Sequence, residues 1–247
     1  MPAIIGCDEK MSTVQVRSRE RVVDHGEVYT SPREVNAMLD LVKNETERID
    51  SRFLEPACGH GNFLEAILDR KLDVVARRYK KSQREFEAQG LLALACIYGI
   101  DKLEDNVSEA RRRLFQLFLD RYSRQFRDSV DGRYLDSLRY VLERNIIHGD
   151  ALTLRTIPRK PSPETQNRRP TLDSLRNEGK PIIFSHWSLI DSARVKRHDY
   201  LFEHLVNRIG DGPLFSDHGE EAFIPKSVAE FRPVHYLEIS DAYDDAV

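Results

Sequence analysis

Apolar positions along this chain recur with two periods, and the places where one period gives way to the other divide it into elements. Thr30 or Ser31 stands as a helix N-cap, with Pro32 at the first helical position and Glu34 in the first turn. Val35, Met38, Leu39 and Val42 then fall on one helical face. Phe53-Leu54-Glu55 is an apolar lead-in closed by an acid, and after Gly59-His60-Gly61 a fresh apolar run begins at Asn62-Phe63-Leu64. This predicts a strand turning sharply into a helix. A helical stretch from Asn62 to Gly90 follows, rich in cations around Arg77-Arg78-Tyr79-Lys80-Lys81. Ala95 to Asp101 is a strand ending in an acid, and a long amphipathic segment runs through Leu114, Phe115, Leu117, Phe118 and Tyr122. Asn145-Ile146-Ile147-His148-Gly149-Asp150 repeats the strand-then-acid pattern.

That order of helix, strand, helix, strand, long helices and strand predicts an α/β fold with a mostly parallel sheet and crossover helices on both faces. Residues 1–24 read as a polar arm, and residues 25–156 as the core. Residues 157–180 form a basic loop in which Pro158, Pro161, Pro163 and Pro170 argue against a packed element. Residues 181–247 read as the remainder of the sheet and a C-terminal extension, a candidate region for partner or DNA contact. Within it the pattern predicts a strand at Pro181–Trp187, a short helix at about Tyr200–Ile209 and a last strand at His235–Ile239.

The chemistry concentrates at Glu55-Pro56-Ala57-Cys58-Gly59-His60-Gly61-Asn62-Phe63. Two glycines without a β-carbon allow positive φ and a close approach of a ligand, with the free N–H groups of a helix start nearby. A dinucleotide fingerprint would need a third glycine, and Glu55 would repel a phosphate. The carboxylate suits a cationic ligand rich in hydroxyl and amino donors, a description that S-adenosylmethionine meets with its ammonium, sulfonium and ribose diol. The segment resembles the cofactor loop of amino-group DNA methyltransferases, in particular the adenine-specific enzymes of restriction-modification systems, in which an acid-Pro-Ala-Cys-Gly-x-Gly-x-Phe run is common.

The resemblance implies a Rossmann-like S-adenosylmethionine-dependent methyltransferase fold and a set of cofactor-binding positions. Tyr29 and Thr30 match an entrance that packs over the methionine end. Glu55, Pro56, Ala57, Gly59, Gly61, Asn62 and Phe63 match the loop. Asp101, with Lys102 beyond it, stands where a strand-end carboxylate can accept ribose hydroxyls. Asp150 matches the acid that bonds the adenine amine, with Ala151 and Leu152 flanking the ring. The same family places an Asn/Asp-Pro-Pro-Tyr tetrapeptide at the end of its fourth strand, where it directs the amine of a flipped base at the methyl group. No such tetrapeptide occurs in these 247 residues. The strand that should carry it ends in Phe184-Ser185-His186-Trp187, so Trp187 is left either to stack a base or to serve as a core or interface aromatic, with Ser185 or His186 able to accept one hydrogen bond. No catalytic residue is assigned.

Composition narrows the rest. With 40% hydrophobic and 32% charged residues and no apolar run of about 20, the chain lacks a membrane span. Neither a basic start nor a long apolar leader opens it, and Cys7, Cys58 and Cys96 are too few and scattered for a disulfide framework, so a cytoplasmic location is expected. A net charge of −3 means any nucleic-acid contact must be local. Candidate basic patches are Arg17/Arg19/Arg21, Arg111/Arg112/Arg113, Arg159/Lys160/Arg168/Arg169 and Arg194/Lys196/Arg197/His198, the last two being the better placed. Phe202, Phe215, Phe223, Phe231 and Tyr236 are expected to be exposed and available to an interface. No zinc-like spacing or Gly-x-Ser-x-Gly elbow is present. Three functional readings follow. The first is the cofactor-binding part of a DNA adenine methyltransferase, a modification subunit needing a partner polypeptide for base binding and target recognition. The others are a divergent RNA or other amine methyltransferase, and a binding or structural subunit without catalysis of its own.

Overall fold

The computed structural model describes residues 30–127, 130–158, 179–208, 214–215, 221–222 and 225–244. Helix α1 (Pro32–Asp40) opens as its sequence predicts. Ser31 is the N-cap, and its hydroxyl accepts the Glu34 amide while the Glu34 carboxylate accepts the Ser31 amide at 3.0 Å, a reciprocal capping box. Val35 and Leu39 are buried, but Met38 and Val42 are 55% and 44% exposed. The buried stripe is therefore i, i+4 and narrower than the expected four-residue face. After the short α2 (Lys43–Thr46) the chain enters β1 (Phe53–Glu55) through a loop closed from inside by Lys71. That ammonium is fully buried and donates to the carbonyls of Arg48 and Ile49, each at 2.9 Å, and of Ser51.

The helical stretch after the glycine turn is two helices, α3 (Asn62–Tyr79) and α4 (Gln83–Ala95), separated by Ser82, whose hydroxyl caps α4 by accepting the Glu85 amide. Strand β2 (Ile97–Asp101) follows, then α5 (Glu104–Phe126), α6 (Gly132–Asn145) and β3 (Ile146–Asp150). Strands β1, β2 and β3 run parallel in that order, and β4 (Arg155–Thr156) pairs antiparallel with β3. The result is an α/β fold whose first sheet is mixed and four-stranded, with helices on both sides. On one side, Ile97 and Ile146 join the main core with Leu64, Leu68 and Leu72 of α3 and Ala110 and Leu114 of α5. On the other, Tyr98 and Ile100 pack with Ile182, Phe184 and Phe202. Each fully buried aliphatic side chain of this kind contributes about 1.5–3 kcal/mol.

The second half of the chain departs from expectation. Strand β5 (Ile183–Leu189) does form, but it does not extend the parallel sheet. It pairs antiparallel along its whole length with β6 (Arg194–Leu201), which also pairs β9 (Ala229–Glu230) and β10 (Val234–His235). The expectation of a mostly parallel sheet thus holds for β1–β3 only. The two sheets are joined where the Ile182 amide donates to the Leu154 carbonyl and the Thr156 amide to Lys180. The helix expected at Tyr200–Ile209 is the shorter α7 (Phe202–Val206), and the last expected strand is only β10, followed by α8 (Ile239–Asp244). A two-stranded pair, β7 (Leu214–Phe215) with β8 (Glu221–Ala222), completes the described elements. Phe202 and Tyr236, expected at the surface, are 6% and 3% exposed; Tyr236 donates its hydroxyl to the buried Glu87 carboxylate at 2.7 Å, as Tyr122 does at 2.6 Å. Among the described residues no helix is long and apolar enough to cross a membrane.

Candidate functional site

The turn after β1 is held from three sides. The Cys58 amide donates to the Ile100 carbonyl at 2.9 Å, which fastens it to β2, and the Gly61 amide donates back to the Cys58 carbonyl at 2.8 Å. Gly59 and Gly61 have φ of +50° and +81°, in the left-handed region where a β-carbon is costly. At Gly61 space is short as well, since a β-carbon would lie 3.1 Å from the Ala110 Cβ. The third hold comes from Asp101, whose Oδ2 accepts the Gly59 amide at 2.8 Å. Its Oδ1 accepts the Leu103 amide at 2.8 Å and the Asn106 Nδ2 at 3.1 Å.

Glu55, Asp101 and Asp150 close three neighbouring parallel strands. The register sets Glu55 beside Gly99 and Asp101 beside His148. Each acid therefore stands two residues further along than the one before, about 6–7 Å per step. Burial pushes the Glu55 carboxyl above its usual range, against the opposing pull of the Ala57 amide. Cys58 sits between two of these acids, and its thiol is pushed up by burial first and by the Asp101 and Glu55 charges next. Asp150 is raised by what burial it has, but the Leu152 amide at 2.9 Å and the Lys102 ammonium at 3.0 Å outweigh this and hold it low.

The remaining expected positions divide. A cavity of about 290 Å³ beside the turn brings Thr30 and Asn62 together with Pro32, Val35, Glu65 and Arg113. The three strand-end acids do not line it. Pro56 and Ala57 are exposed, Phe63 packs against the main core, and Ala151 packs against the smaller cluster while Leu152 is 87% exposed. Tyr29 lies outside the described residues. Two residues carry weight here that the sequence did not assign to the turn: Arg113, read as part of a basic patch, and Asn106. Arg113 of α5 donates to the His60 carbonyl at 3.0 Å and the Asn62 Oδ1 at 2.6 Å, and pairs with Glu65. Asn106 is 2% exposed, and its Oδ1 has no hydrogen-bond partner among the described residues. Neither belongs to a local motif; both act through the packing of α5 against the turn.

The end of β5 is not open to a base. Trp187 is 2% exposed, donates its indole N–H to the Asn145 Oδ1 at 3.4 Å and meets Tyr140 edge-on. Ser185 is buried and donates to the Asp199 Oδ1 at 2.7 Å. His186 stacks across the strands on His198, and burial, then Arg52 and His198, push its imidazole down to about 4. Two of the expected basic patches are consumed internally. Arg111 donates to the Ile146 and Glu143 carbonyls, Arg113 staples the glycine turn, and Arg112 pairs with Glu109. Arg194 pairs with Asp191, Lys196 with Glu230, and Arg197 is buried against Asp199. Arg17/Arg19/Arg21, Arg159/Lys160/Arg168/Arg169 and Phe223 lie outside the described residues, as does the Phe215 side chain. Among the described residues no group of three or more His, Cys, Asp or Glu side chains is placed to hold a metal ion.

No family model matches the chain, and no curated protein or solved structure matches it either.

Proposed function

We propose that this chain holds S-adenosylmethionine at the Gly59–Gly61 turn, on a Rossmann-like methyltransferase core, as the cofactor-binding part of an adenine-specific DNA methyltransferase. It would be a modification subunit of a restriction-modification system, whose base-binding loop and target recognition come from a partner polypeptide. The observation that carries this reading is the strand–turn–helix with both glycines at positive φ, flanked by acids at the ends of three adjacent parallel strands. Open α/β sheets receive ligands at that end of their strands.

The residues fit the cofactor's chemistry. Glu55 would face a cationic group, the bare backbone at Gly59 leaves room for close approach, and Asp150 with Ala151 and Leu152 would receive the adenine. S-adenosylmethionine supplies an electrophilic methyl group when bound. Asp101 already accepts three hydrogen bonds of the roughly four that a carboxylate can take. It would add one ribose hydroxyl without releasing any of them, and a second only by giving up one of the three. Need for a partner is supported by the burial of Ser185 and Trp187, which leaves the strand end without a stacking surface.

Titration calorimetry and thermal unfolding with S-adenosylmethionine test the cofactor assignment. Binding heat and a raised Tm are expected, because a ligand of the folded state must stabilise it; neither heat nor a shift would remove the assignment. Methyl transfer to adenine-containing duplex by the purified chain alone is expected to be absent, and its presence would overturn the need for a partner.

A further inference from the structure

Six helix arginines among the described residues are held in ion pairs. Arg70 pairs with Asp40, Arg112 with Glu109, Arg113 with Glu65, Arg121 with Asp69 and Asp73, Arg133 with Asp131 and Arg139 with Asp136. One corner of the helical layer breaks the pattern. The C-terminal end of α3 with the turn after it, the first turn of α4 and the C-terminal end of α5 come together there. Gln125 donates to the Lys80 carbonyl at 3.0 Å, and Phe86 and Phe126 meet at 5.1 Å between ring centres. Arg77, Arg78, Lys80, Lys81, Arg84, Arg124 and Arg127 are all exposed on this corner, and among the described residues none of the seven forms an ion pair. Glu85 is the one carboxylate between Arg77 and Phe86 in sequence. Helix dipoles favour cations at the ends of α3 and α5, but they disfavour Arg84 in the first turn of α4.

We propose that this corner is a nucleic-acid backbone site, gripping consecutive phosphates through charge and without reading bases. Seven exposed cations, none of them in an ion pair among the described residues, on a chain of net charge −3, leave a local excess that suits a polyanion. A protein interface of useful strength needs apolar or aromatic anchors. The large exposed hydrophobic side chains, among them Met38, Leu41, Leu152 and Ile190, all lie elsewhere. The corner is at the far end of α3 from the glycine turn, 18 residues or about 27 Å away. It therefore stands independently of the cofactor assignment, and holds nucleic acid beside the site rather than in it.

Fluorescence anisotropy of the full chain with a labelled 20-base-pair duplex, from 50 to 300 mM salt, tests this. Affinity should fall steeply with salt, and Arg77→Glu/Arg78→Glu/Lys80→Glu/Lys81→Glu should weaken binding at least tenfold at the lowest salt. The neutral Arg77→Gln/Arg78→Gln/Lys80→Gln/Lys81→Gln variant, which guards against a folding defect, should flatten the log–log salt slope by about 3–4. Arg133→Glu/Arg139→Glu, which removes paired cations, should leave both readouts unchanged. No duplex binding by the parent chain at 50 mM salt, a slope untouched by the glutamine variant, or displacement of the duplex by polyglutamate at equal charge concentration would each overturn the proposal. Calorimetry with S-adenosylmethionine on the same variants separates the two sites, since cofactor heat should persist when duplex binding is lost.

Discussion

The Asp101 carboxylate accepts the Gly59 amide at 2.8 Å across 42 positions of sequence, so the acid at the end of one strand fixes the turn at the end of its neighbour. The interaction belongs to the folded chain itself and is made before any ligand arrives. Asp101→Ala should therefore lower stability without cofactor present, by about 1–3 kcal/mol for the stranded donors, and should weaken S-adenosylmethionine binding further. Urea unfolding with and without the cofactor checks this. A variant that lost only affinity would show Asp101 to be a ligand residue and nothing more.

The two glycines of the turn should not respond alike. Gly59→Ala meets nothing within 4 Å and carries only the penalty of its left-handed φ, about 1–2 kcal/mol. Gly61→Ala adds crowding against Ala110 to the same strain, and should cost more. Midpoints of denaturant unfolding for the two variants give the order directly, and equal midpoints would mean that α5 moves aside freely.

What could be read from the sequence was whatever the chain settles locally. The Ser31, Pro32 and Glu34 cap, the Phe53–Asn62 turn and the strand-end acids are near-neighbour chemistry, and each forms where expected. Ser82-Gln83-Arg84-Glu85 carried the same kind of cap signal, yet the stretch was expected to run on from Asn62 to Gly90. Strand pairing is not local. Ile183–Leu189 has strand character whichever sheet receives it, and the choice depends on a hairpin with Arg194–Leu201, where Arg197 and Asp199 face inward. A buried ion pair inverts the usual alternation of apolar and polar residues, so β6 reads as a basic surface patch. Arg113 reaches the turn from a helix 51–53 residues downstream, and Asn106 of the same helix supports it through Asp101; no spacing announces that.

Acid should weaken the fold through His186. Burial, with Arg52 and His198 nearby, drops its imidazole from about 6.5 to about 4. The folded state thus binds a proton less readily than the unfolded chain, and the stability present above pH 6.5 is lost as pH falls through about 4. Neighbouring His198, shifted the same way, adds to the effect. The drop in Tm between pH 7 and pH 4.5 should be smaller in His186→Gln than in the parent chain. An identical drop in the two proteins would place the acid sensitivity elsewhere.

Arg197 and Asp199 should behave as a unit. The guanidinium Nε donates to the Asp199 Oδ1 at 2.8 Å and Nη1 to the Tyr140 hydroxyl at 2.9 Å, while the Phe231 ring centre lies 4.1 Å from its central carbon. Both side chains are almost wholly buried, at 2% and 7% exposure. Asp199→Ala leaves a cation without its counter-charge in the core, a loss of about 3–5 kcal/mol, whereas removing both charges with apolar residues of similar size can be close to neutral. Asp199→Leu/Arg197→Met should accordingly be more stable than Asp199→Ala alone, as read by urea midpoints. Because this pair ties β6 to Ser185 of β5 and to Tyr140, the double variant also asks whether the second sheet needs the ion pair to choose its place. Unchanged near-ultraviolet circular dichroism would show that apolar packing alone is enough, and a lost Trp187 signal would show that the charges set the position of β5.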